Sequence, residues 1–405
     1  MRFPFAVVFG ALCTISAQPR IDSAQNAASY ARMGLPNASL AQGSMFVVFG
    51  AGLGPPEVVA ATTFPMPTAN GLAGTSIRIN SGGASLDAIM VYTLSRQVAA
   101  IVPSSTPTGD ATITLTYNGA ASNPFPARIV RSSFGIFTVN EAGSGPAVVQ
   151  NVNSEADRPV NGLTRAAEAG RVMILWGTGV GPAAGDEAAG PLPGDLASID
   201  AEVYVGNRRA NVLYRGRSGC CAGVDQIVFE TPEGVEGCYV PIVVKTGDIV
   251  SNLATMAVAA SGFCSDPLGY PASDLQRAAA QGGLRVGNVG LSRIAVRLPV
   301  PILSIVANID NASASFNGFN LSQLEASQRF QTTAAIGACT VQTFGGSTPS
   351  GLAPDPVTAN PLDAGPFINL AGPNGPVQLV RRDGSYSISP DDYFTAGQYT
   401  VDNGP

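Results

Sequence analysis

Cysteines are the residues of this sequence with the clearest capacity for chemistry. Four of them cluster with the spacing C-C-x16-C-x25-C, which lacks the CxxC knuckles typical of zinc sites. We therefore expect disulfides. Four cysteines allow three pairings. We favour bridges from the adjacent pair to the two distant cysteines, because a bridge between neighbours is strained. The disulfide candidates are Cys220, Cys221, Cys238 and Cys264. Cys339 is left as the unpaired candidate, either free, buried or joined to another chain.

The chain contains no histidine, which excludes whole classes of chemistry. Ser-His-Asp and Cys-His catalysis are excluded, as are histidine ligands for zinc, iron or haem. Paired carboxylates can still hydrolyse glycosides. The nearest acidic pairs are Asp186-Glu187, Glu233/Glu236 and Asp391-Asp392. None stands in a recognisable constellation, so we expect solvated loop charges. No catalytic, cofactor-binding or metal residue is predicted, and the chain is expected not to be an enzyme.

Two glycine-rich bends, GAGLG at 50–54 and GTGVG at 177–181, superficially suggest a phosphate-binding loop. Such a loop needs a following helix, whose N-terminus holds the phosphate. Pro55 and Pro182 follow here instead, which favours a bend from strand to loop. Trp176 precedes the second bend. It could stack on a sugar if exposed, but an apolar strand favours a core position.

The bulk composition excludes further partners. The formal net charge is −6, which argues against nucleic acid and against a polybasic membrane patch. Charged residues make up only 12%, while Gly 47 and Pro 31 favour short strands joined by turns. The length of 405 residues suggests roughly two to four domains.

The N-terminus has the pattern of a signal peptide. Arg2 gives a positive start, residues 3–15 are apolar, and Ser16-Ala17 offers a cleavage point. Cys13 would leave with this segment. No later apolar run has the length of a membrane helix. We therefore expect an exported protein, extracellular or on the cell surface, with the periplasm as the alternative, and no integral membrane segment after signal removal.

A long-period repeat dominates the sequence. Residues 43–55 (GSMFVVFGAGLGP) match 170–182 (GRVMILWGTGVGP) at an offset of 127. Further matches are Gln97–Pro103 with Gln226–Pro232, and Ser122-Asn123 with Ser251-Asn252. Alternating apolar segments with frequent turns, and no ten-residue helix inside either copy, predict an all-β fold of tandem immunoglobulin-like β-sandwiches.

The predicted organisation has five parts. They are a signal peptide at 1–17, the first sandwich at 18–135, the cysteine-containing second sandwich at 136–264, a linker at 265–300 and a smaller C-terminal β-rich module at 301–405. Within the linker, Ser273 to Gln281 could form one or two helical turns. The last module stops abruptly, so we interpret it either as incomplete or as ending in an exposed terminus.

Several spaced motifs resemble a family of uncharacterised secreted proteins expanded in Acidobacteria, the Solibacter paralogous-domain family. The matching motifs are Gly43-Ser44 through Pro55, Ser95 through Pro103, Phe134 through Thr138, Gly177 through Pro182, and Ser251-Asn252. Each half also resembles an IPT/TIG-type domain. The first copy departs from the family pattern, with Arg96-Gln97-Val98-Ala99 where the family has GQIN. The resemblance implies surface, adhesive or spacer modules, by analogy of fold alone.

Three functions remain open at this stage. The first is a non-catalytic secreted or cell-surface protein that binds or spaces other components, with an unknown surface protein or glycan as partner. The second is a carbohydrate-binding or polysaccharide-degrading accessory protein. The third is a structural subunit of an envelope layer or appendage, joined through Cys339 or an exposed edge strand.

Overall fold

The computed structural model describes residues 18–266, 269–300, 303–326, 359–390 and 392–403, with the backbone alone for 296–300 and 303–307. The expected signal segment, Cys13, Cys339 and Asp391 lie outside the described residues. About half of the described chain forms β-strands, which are arranged in five sheets.

The first sandwich packs a five-stranded sheet against a six-stranded sheet. Its strands are β1 (Arg20–Asn26), β2 (Leu40–Ala41), β3 (Met45–Ala51), β4 (Val59–Ala60), β5 (Thr75–Ser81), β6 (Ala84–Asp87), β7 (Ile89–Leu94), β8 (Gln97–Ile101), β9 (Gly109–Tyr117), β10 (Ala120–Ala121) and β11 (Phe125–Val130). The sheets run β1-β3-β8-β7-β4 and β2-β11-β9-β5-β6, with β10 on β9. Strand β2 pairs with β11 in parallel, whereas β3 and β8 are antiparallel.

The second sandwich repeats this topology, with one additional short strand, β14, on β15. Its strands are β12 (Gly135–Ile136), β13 (Gly145–Pro146), β14 (Val149–Asn151), β15 (Val172–Thr178), β16 (Gly194–Asp195), β17 (Ala201–Val205), β18 (Arg208–Arg209), β19 (Asn211–Arg217), β20 (Asp225–Glu230), β21 (Gly237–Thr246), β22 (Ile249–Val250) and β23 (Ala254–Val258). The sheets run β12-β15-β20-β19-β16 and β13-β23-β21-β17-β18, and β13 pairs with β23 in parallel, as β2 does with β11. The predicted fold class of tandem all-β sandwiches is confirmed.

Alternating side chains build the core of each sandwich. Along β15 and β20, Met173, Leu175, Ile227 and Phe229 point between the sheets and are essentially inaccessible to solvent. The residues between them face outward, as the two-residue period of a strand requires. Burying an aromatic side chain of this kind is worth about 3–5 kcal/mol against its replacement by alanine.

The asparagine of the Ser-Asn motif that ends each repeat hydrogen-bonds the backbone of the first strand of the same sandwich. Asn123 accepts a hydrogen bond from the backbone N–H of Ile21 at 2.8 Å and donates to its carbonyl at 3.2 Å. Asn252 does the same with Ile136, at 2.8 and 2.9 Å. Each asparagine therefore fixes the first strand of its own sandwich to the end of the last hairpin. The motif stabilises the fold in both copies.

Residues 265–300, expected as a linker, are instead largely ordered secondary structure. Helix α1 (Ala272–Gln281) ends at Gly282, whose φ of +78° is the left-handed conformation that favours glycine. Strand β24 (Gly283–Val300) follows directly. The helical turns predicted at Ser273 to Gln281 are present and belong to a longer helix, in which Leu275 and Ala278 are buried. The linker prediction is wrong because this helix packs on the second sandwich and β24 joins the C-terminal sheet.

The C-terminal module is one mixed-length antiparallel sheet in the order β24-β25-β29-β28-β27-β30, with β26 on β25. Its remaining elements are β25 (Leu303–Asn320), α2 (Leu321–Ala326), β26 (Asn360–Pro361), β27 (Phe367–Gly372), β28 (Gly375–Arg382), β29 (Ser385–Ile388) and β30 (Thr400–Asp402). The C-terminal module has its own hydrophobic core, which includes the buried side chains of Tyr386 and Leu370. A separate apolar cluster joins α1 to the second sandwich through Leu275, Cys238 and Cys264.

Candidate functional site: the junction of the two sandwiches

A buried ion pair lies at the end of the hairpin formed by β19 and β20. Arg217 and Asp225 are register partners there, and Arg217 Nη1 donates to Asp225 Oδ1. Both side chains are almost completely inaccessible to solvent, at 2% and 0% exposure. A buried charge is tolerated only when its partners satisfy it, so the remaining bonds of this pair decide what it does.

The GTGVG bend supplies the second set of partners for Asp225. The backbone N–H groups of Gly179 and Val180 donate to Asp225 Oδ2 at 2.6 and 2.8 Å. The bend does bind an anion through its backbone, but the anion is a carboxylate of the same chain. In the first copy the corresponding N–H of Leu53 donates to the carbonyl of Ser95, at 2.9 Å. Neither bend is followed by a helix, and the expected strand-to-loop bend is what the structure shows.

Glu187 carries the charge network across to the first sandwich. Its Oε1 accepts from Arg217 Nη2 at 3.0 Å and from Ser104 Oγ at 2.7 Å, and its Oε2 accepts from the Ser104 N–H at 2.8 Å. Ser104 belongs to the loop after β8. The expectation of a solvated loop charge is wrong for Glu187, which is only 6% exposed. The neighbouring sandwich buries it, which the local sequence does not show.

A second set of hydrogen bonds joins the sandwiches beside this network. Thr178 Oγ1 accepts from the N–H of Met45 at 2.8 Å and donates to the carbonyl of Gly223 at 2.6 Å. Asn26 Nδ2 donates to the carbonyls of Ser133 and Thr178, at 3.4 and 3.3 Å. Asn26 is 1% exposed. The contact between the sandwiches is thus buried and hydrogen-bonded at several points.

The electrostatics of this junction suit a permanent contact. Burial raises the pKa of Asp225, while Arg217 and the two backbone amides oppose that shift. Burial lowers the pKa of Arg217, but Asp225 and Glu187 outweigh it and raise that pKa overall. Arg217 therefore stays charged and holds both carboxylates. Because each carboxylate is engaged by several donors, the pair is suited to joining two domains and unsuited to general acid–base work.

The insertion that distinguishes the second copy borders this junction. Residues 218–224 replace the two-residue turn between β7 and β8, and they connect Arg217 to Asp225. Ala222 packs against a small apolar cluster that contains Ile89 and Ile101 of the first sandwich. The exposed middle of the loop holds the Cys220–Cys221 disulfide, whose Cα atoms are 3.8 Å apart.

The other disulfide joins Cys238 to Cys264, with Cα atoms 5.4 Å apart. The pairing that we favoured from the sequence, between the adjacent cysteines and these two, is therefore wrong. The physical reason is distance within the domain: Cys220 and Cys221 lie on the loop that faces the first sandwich. Cys238 and Cys264 instead pack in the cluster that faces α1.

Trp176 occupies a different place from the one expected. Its side chain is half-buried on the outer face of its sheet, outside the core cluster, and its Nε1 donates to Gln150 Oε1 at 2.8 Å. The expected core position is wrong because the period of β15 turns Met173 and Leu175 inward and leaves Trp176 facing outward. The local apolar composition conceals this alternation.

The remaining acidic candidates are dispersed. Glu233 and Glu236 are exposed. Asp392 pairs with Arg293 at 3.0 Å in the C-terminal module and is 71% exposed. In the described ranges, no group of three or more Cys, Asp or Glu side chains is arranged to hold a metal ion. No helix in these ranges combines the length and the apolar character needed to cross a membrane.

Sequence reasoning missed Ser104, Arg217 and Asp225, which together carry the junction. A usable signal existed in the repeat itself. The second copy inserts residues at a turn that is tight in the first copy, and it brackets the insertion with Arg217 and Asp225. An insertion framed by opposite charges at the end of a hairpin favours a bridged loop.

No protein-family model matches the chain, and no curated protein matches it. Among solved structures, it is similar to SGBP-B from a complex xyloglucan utilization locus in Bacteroides uniformis. The identity is 9%, the TM-score is 0.21, and 74% of this chain and 66% of that one are covered. It is also similar to the SGBP-B of the Bacteroides ovatus mixed-linkage glucan utilization locus, in complex with a mixed-linkage heptasaccharide. There the identity is 12%, the TM-score is 0.24, and the coverage is 56% and 44%.

A third similar structure comprises domains 5–6 of the S-layer protein SbsC, with 12% identity, a TM-score of 0.20 and coverage of 61% of this chain and 100% of that one. The chain spans slightly less than two thirds of the first SGBP-B and less than half of the second. With TM-scores of this size, these likenesses carry no argument about a ligand.

Proposed function

We propose that this chain is an exported, non-catalytic binding or spacer protein in which the two sandwiches act as one rigid body. The observation that carries the rigid-body part of the proposal is the buried bridge from Arg217 through Glu187 to Ser104. Contacts between domains of one chain are usually polar and permit relative motion. A charge network with solvent excluded resists that motion, because separating the domains would expose or strand its members.

Distance measurement between the sandwiches tests this rigidity. Ser85 and Arg208 are exposed, and each can be replaced by cysteine and spin-labelled in a Cys339→Ser background. Pulsed electron resonance then measures the distance between the two labels, one on each sandwich. We expect one narrow distance distribution, which Glu187→Ala broadens. A broad distribution in the unaltered junction would contradict the proposal. Turnover of glycans or peptides on a substrate panel would contradict its non-catalytic part.

Export and a surface location are parts of the same proposal. They are supported by the two disulfides, which persist in oxidising compartments, and by the signal-like N-terminal pattern. Membership of the acidobacterial family is part of the same proposal, supported by the spaced motifs of the repeat. Mass spectrometry of the secreted, non-reduced protein tests export directly, since the mature chain should begin near Gln18.

A structural role in an envelope layer is the second candidate function. Among the described strands, β24 pairs with β25 alone and forms one edge of the C-terminal sheet. Val289, Leu291 and Ile294 on this edge are 46%, 41% and 60% exposed. An exposed apolar edge favours strand pairing with another molecule. Sedimentation that shows only monomers, with and without reductant, would rule out this role.

A further inference from the structure

Each sandwich carries the same three-residue arrangement on the outer face of its sheet. Phe49 lies opposite Gln97 in the first sandwich, and Trp176 lies opposite Gln226 in the second. A tyrosine follows on the next strand in each copy, Tyr92 opposite Ala99 and Tyr214 opposite Val228. The shared register shows that the arrangement belongs to the repeated fold and does not depend on one loop.

Hydrogen bonds fix the tyrosine hydroxyl in both copies. Gln97 Nε2 donates to the Tyr92 hydroxyl at 2.6 Å. In the second sandwich the Tyr214 hydroxyl donates to the carbonyl of Arg217 at 2.6 Å and accepts from the N–H of Gly194 at 3.2 Å. The Tyr214 side chain is thereby fixed before any ligand arrives. Gln226 lies diagonally across from it on the neighbouring strand, and its amide offers both a donor and an acceptor.

The two copies differ in what covers the aromatic ring. In the first sandwich Tyr30 lies over Phe49, with ring centroids 6.3 Å apart and planes tilted by 47°. Ala27, Val47 and Ala99 pack around the same site. The chain therefore closes this position with one of its own rings.

In the second sandwich no aromatic ring from the described part of the chain stacks on Trp176. Gln150 fixes the indole from one side through the bond to Nε1, and its own Nε2 donates to the carbonyl of Arg158 at 2.9 Å. Trp176, Gln226, Tyr214 and Gln150 are all half-buried. Within the described ranges, therefore, no ring takes the place in the second copy that Tyr30 takes in the first.

The chemistry of this position selects a neutral ring with hydroxyl groups. An indole face offers apolar contact area, and the four side chains carry no charge. A pyranose ring matches both properties, since its C–H face stacks on an aromatic ring and its hydroxyls donate to an amide oxygen. We propose that Trp176 and Gln226 bind a neutral oligosaccharide, with Gln150 and Tyr214 as positioning residues. This rests on the proposed binding function, and the four residues include no carboxylate that could cleave the sugar.

Intrinsic fluorescence gives a direct test, because Trp176 is the sole tryptophan of the chain. The full-length secreted protein is titrated with cellohexaose, laminarihexaose and mannohexaose. We expect at least one of them to change the emission saturably and to reduce acrylamide quenching about twofold. Absence of a saturable change for all three up to about 10 mM, near the weak limit of useful affinity, overturns the proposal.

Variants locate the site. Gln226→Ala should weaken binding about tenfold by calorimetry, and Trp176→Ala at least as much. Trp176→Phe keeps a ring and should lose less. The matched control is Gln97→Ala, which alters the equivalent amide beneath the closed position and should change affinity less than about twofold. Thermal melting shows which variants are folded, and Gln226→Ala remains decisive if Trp176→Ala is not.

If Gln226→Ala and Gln97→Ala lose oligosaccharide affinity equally, the assignment of the site to the second sandwich is overturned. The outcomes also separate this inference from the proposed function. If no oligosaccharide binds while the label distances stay narrow, the glycan assignment fails and the rigid non-catalytic protein stands. If the distances are broad while a sugar binds at Trp176, the rigid-body part of the proposed function fails and the glycan assignment stands.

Discussion

Glu187 of the second sandwich and Ser104 of the first are joined by two hydrogen bonds, of 2.7 and 2.8 Å, that occupy both carboxylate oxygens. The same carboxylate neutralises Arg217 from the other side. One side chain thus links the fold of each domain to the contact between them. A change at this residue should therefore affect stability and geometry together.

Replacing Glu187 with glutamine keeps its shape and removes its charge. We expect Glu187→Gln to lower the free energy of unfolding by about 2 kcal/mol, since the buried guanidinium loses one of its two counter-charges. Urea denaturation measures this. The neighbouring Asp186 is exposed, so Asp186→Asn is a matched control and should stay within about 0.5 kcal/mol. Equal effects of the two changes would contradict the junction as described.

Gly43 lies where the first sandwich meets the charge network. A Cβ added there would stand 1.6 Å from Arg217 Nη2 and 2.8 Å from Glu187 Oε1, and φ is +73°. Gly83 has a similar φ of +80° with nothing within 4 Å of an added Cβ. Gly83→Ala should therefore cost about 1 kcal/mol for the backbone alone. Gly43→Ala should cost about 2 kcal/mol more, because it also displaces Arg217.

If both glycine variants unfold at the same urea concentration, the close approach of Arg217 to Gly43 is contradicted. A useful second readout is the label distance between the sandwiches. Gly43→Ala should broaden it, whereas Gly83→Ala, in the β5–β6 turn, should leave it unchanged.

The C-terminal module should be sensitive to acid through Asp310. Its hydrogen bonds to Arg293, together with those from the backbone of Phe394 and Tyr393, lower the pKa of Asp310 from 3.8 to about 2. A carboxyl whose pKa is lower in the folded state stabilises that state above its unfolded pKa. This contribution should be complete above about pH 4 and disappear as the pH falls towards 2.

Asp310→Asn tests this assignment. The variant should be less stable than the unaltered protein at pH 7, and its stability should depend less on pH between 4 and 2. Thermal melting followed by circular dichroism at a series of pH values measures both. A wild-type pH dependence that survives in the variant would show that other carboxyls are responsible.

The Cys238–Cys264 disulfide should stabilise the second sandwich and its contact with α1. It closes a loop with a sequence separation of 26 residues. Such a loop predicts a contribution of roughly 3 kcal/mol. The double variant Cys238→Ala/Cys264→Ala should lose about that amount in urea denaturation. The exposed Cys220→Ser/Cys221→Ser pair serves as the comparison and should lose less, because a bridge between adjacent residues closes no long loop.

The architecture can be predicted from the sequence more fully than the contacts between domains can. The repeat and the alternation of apolar residues suffice for two sandwiches, because those patterns are local and the strand period is fixed. The Ser-Asn motif marks the repeat ends correctly, although only the structure shows that Asn123 and Asn252 hold the first strands. Alternation also determines that Trp176 faces outward, but a run of apolar neighbours hides that period.

The misassigned residues have a common physical cause. Glu187 is buried by a different domain, and Cys220 is separated from Cys238 by the arrangement of whole sheets. Neither relationship depends on residues nearby in the sequence. Helix α1 is longer than the one or two turns that the sequence predicts, and the reason is different. Its alanines bury a narrow face without a strong apolar signal.

The two sandwiches contribute different residues to the contact between them, and neither copy could take the place of the other. At the position equivalent to Ser104 the second copy has the exposed Glu233, and at the position equivalent to Gly43 it has Gly170, where a Cβ would meet nothing within 4 Å. The first copy, for its part, has the Ser95-Arg96 turn in place of the loop that joins Arg217 to Asp225. The first copy thus supplies the surface that receives the charge network, and the second copy supplies the loop and the charged side chains that pack against it. Neither copy carries both halves of the contact, so two copies of the same sandwich could not reproduce it.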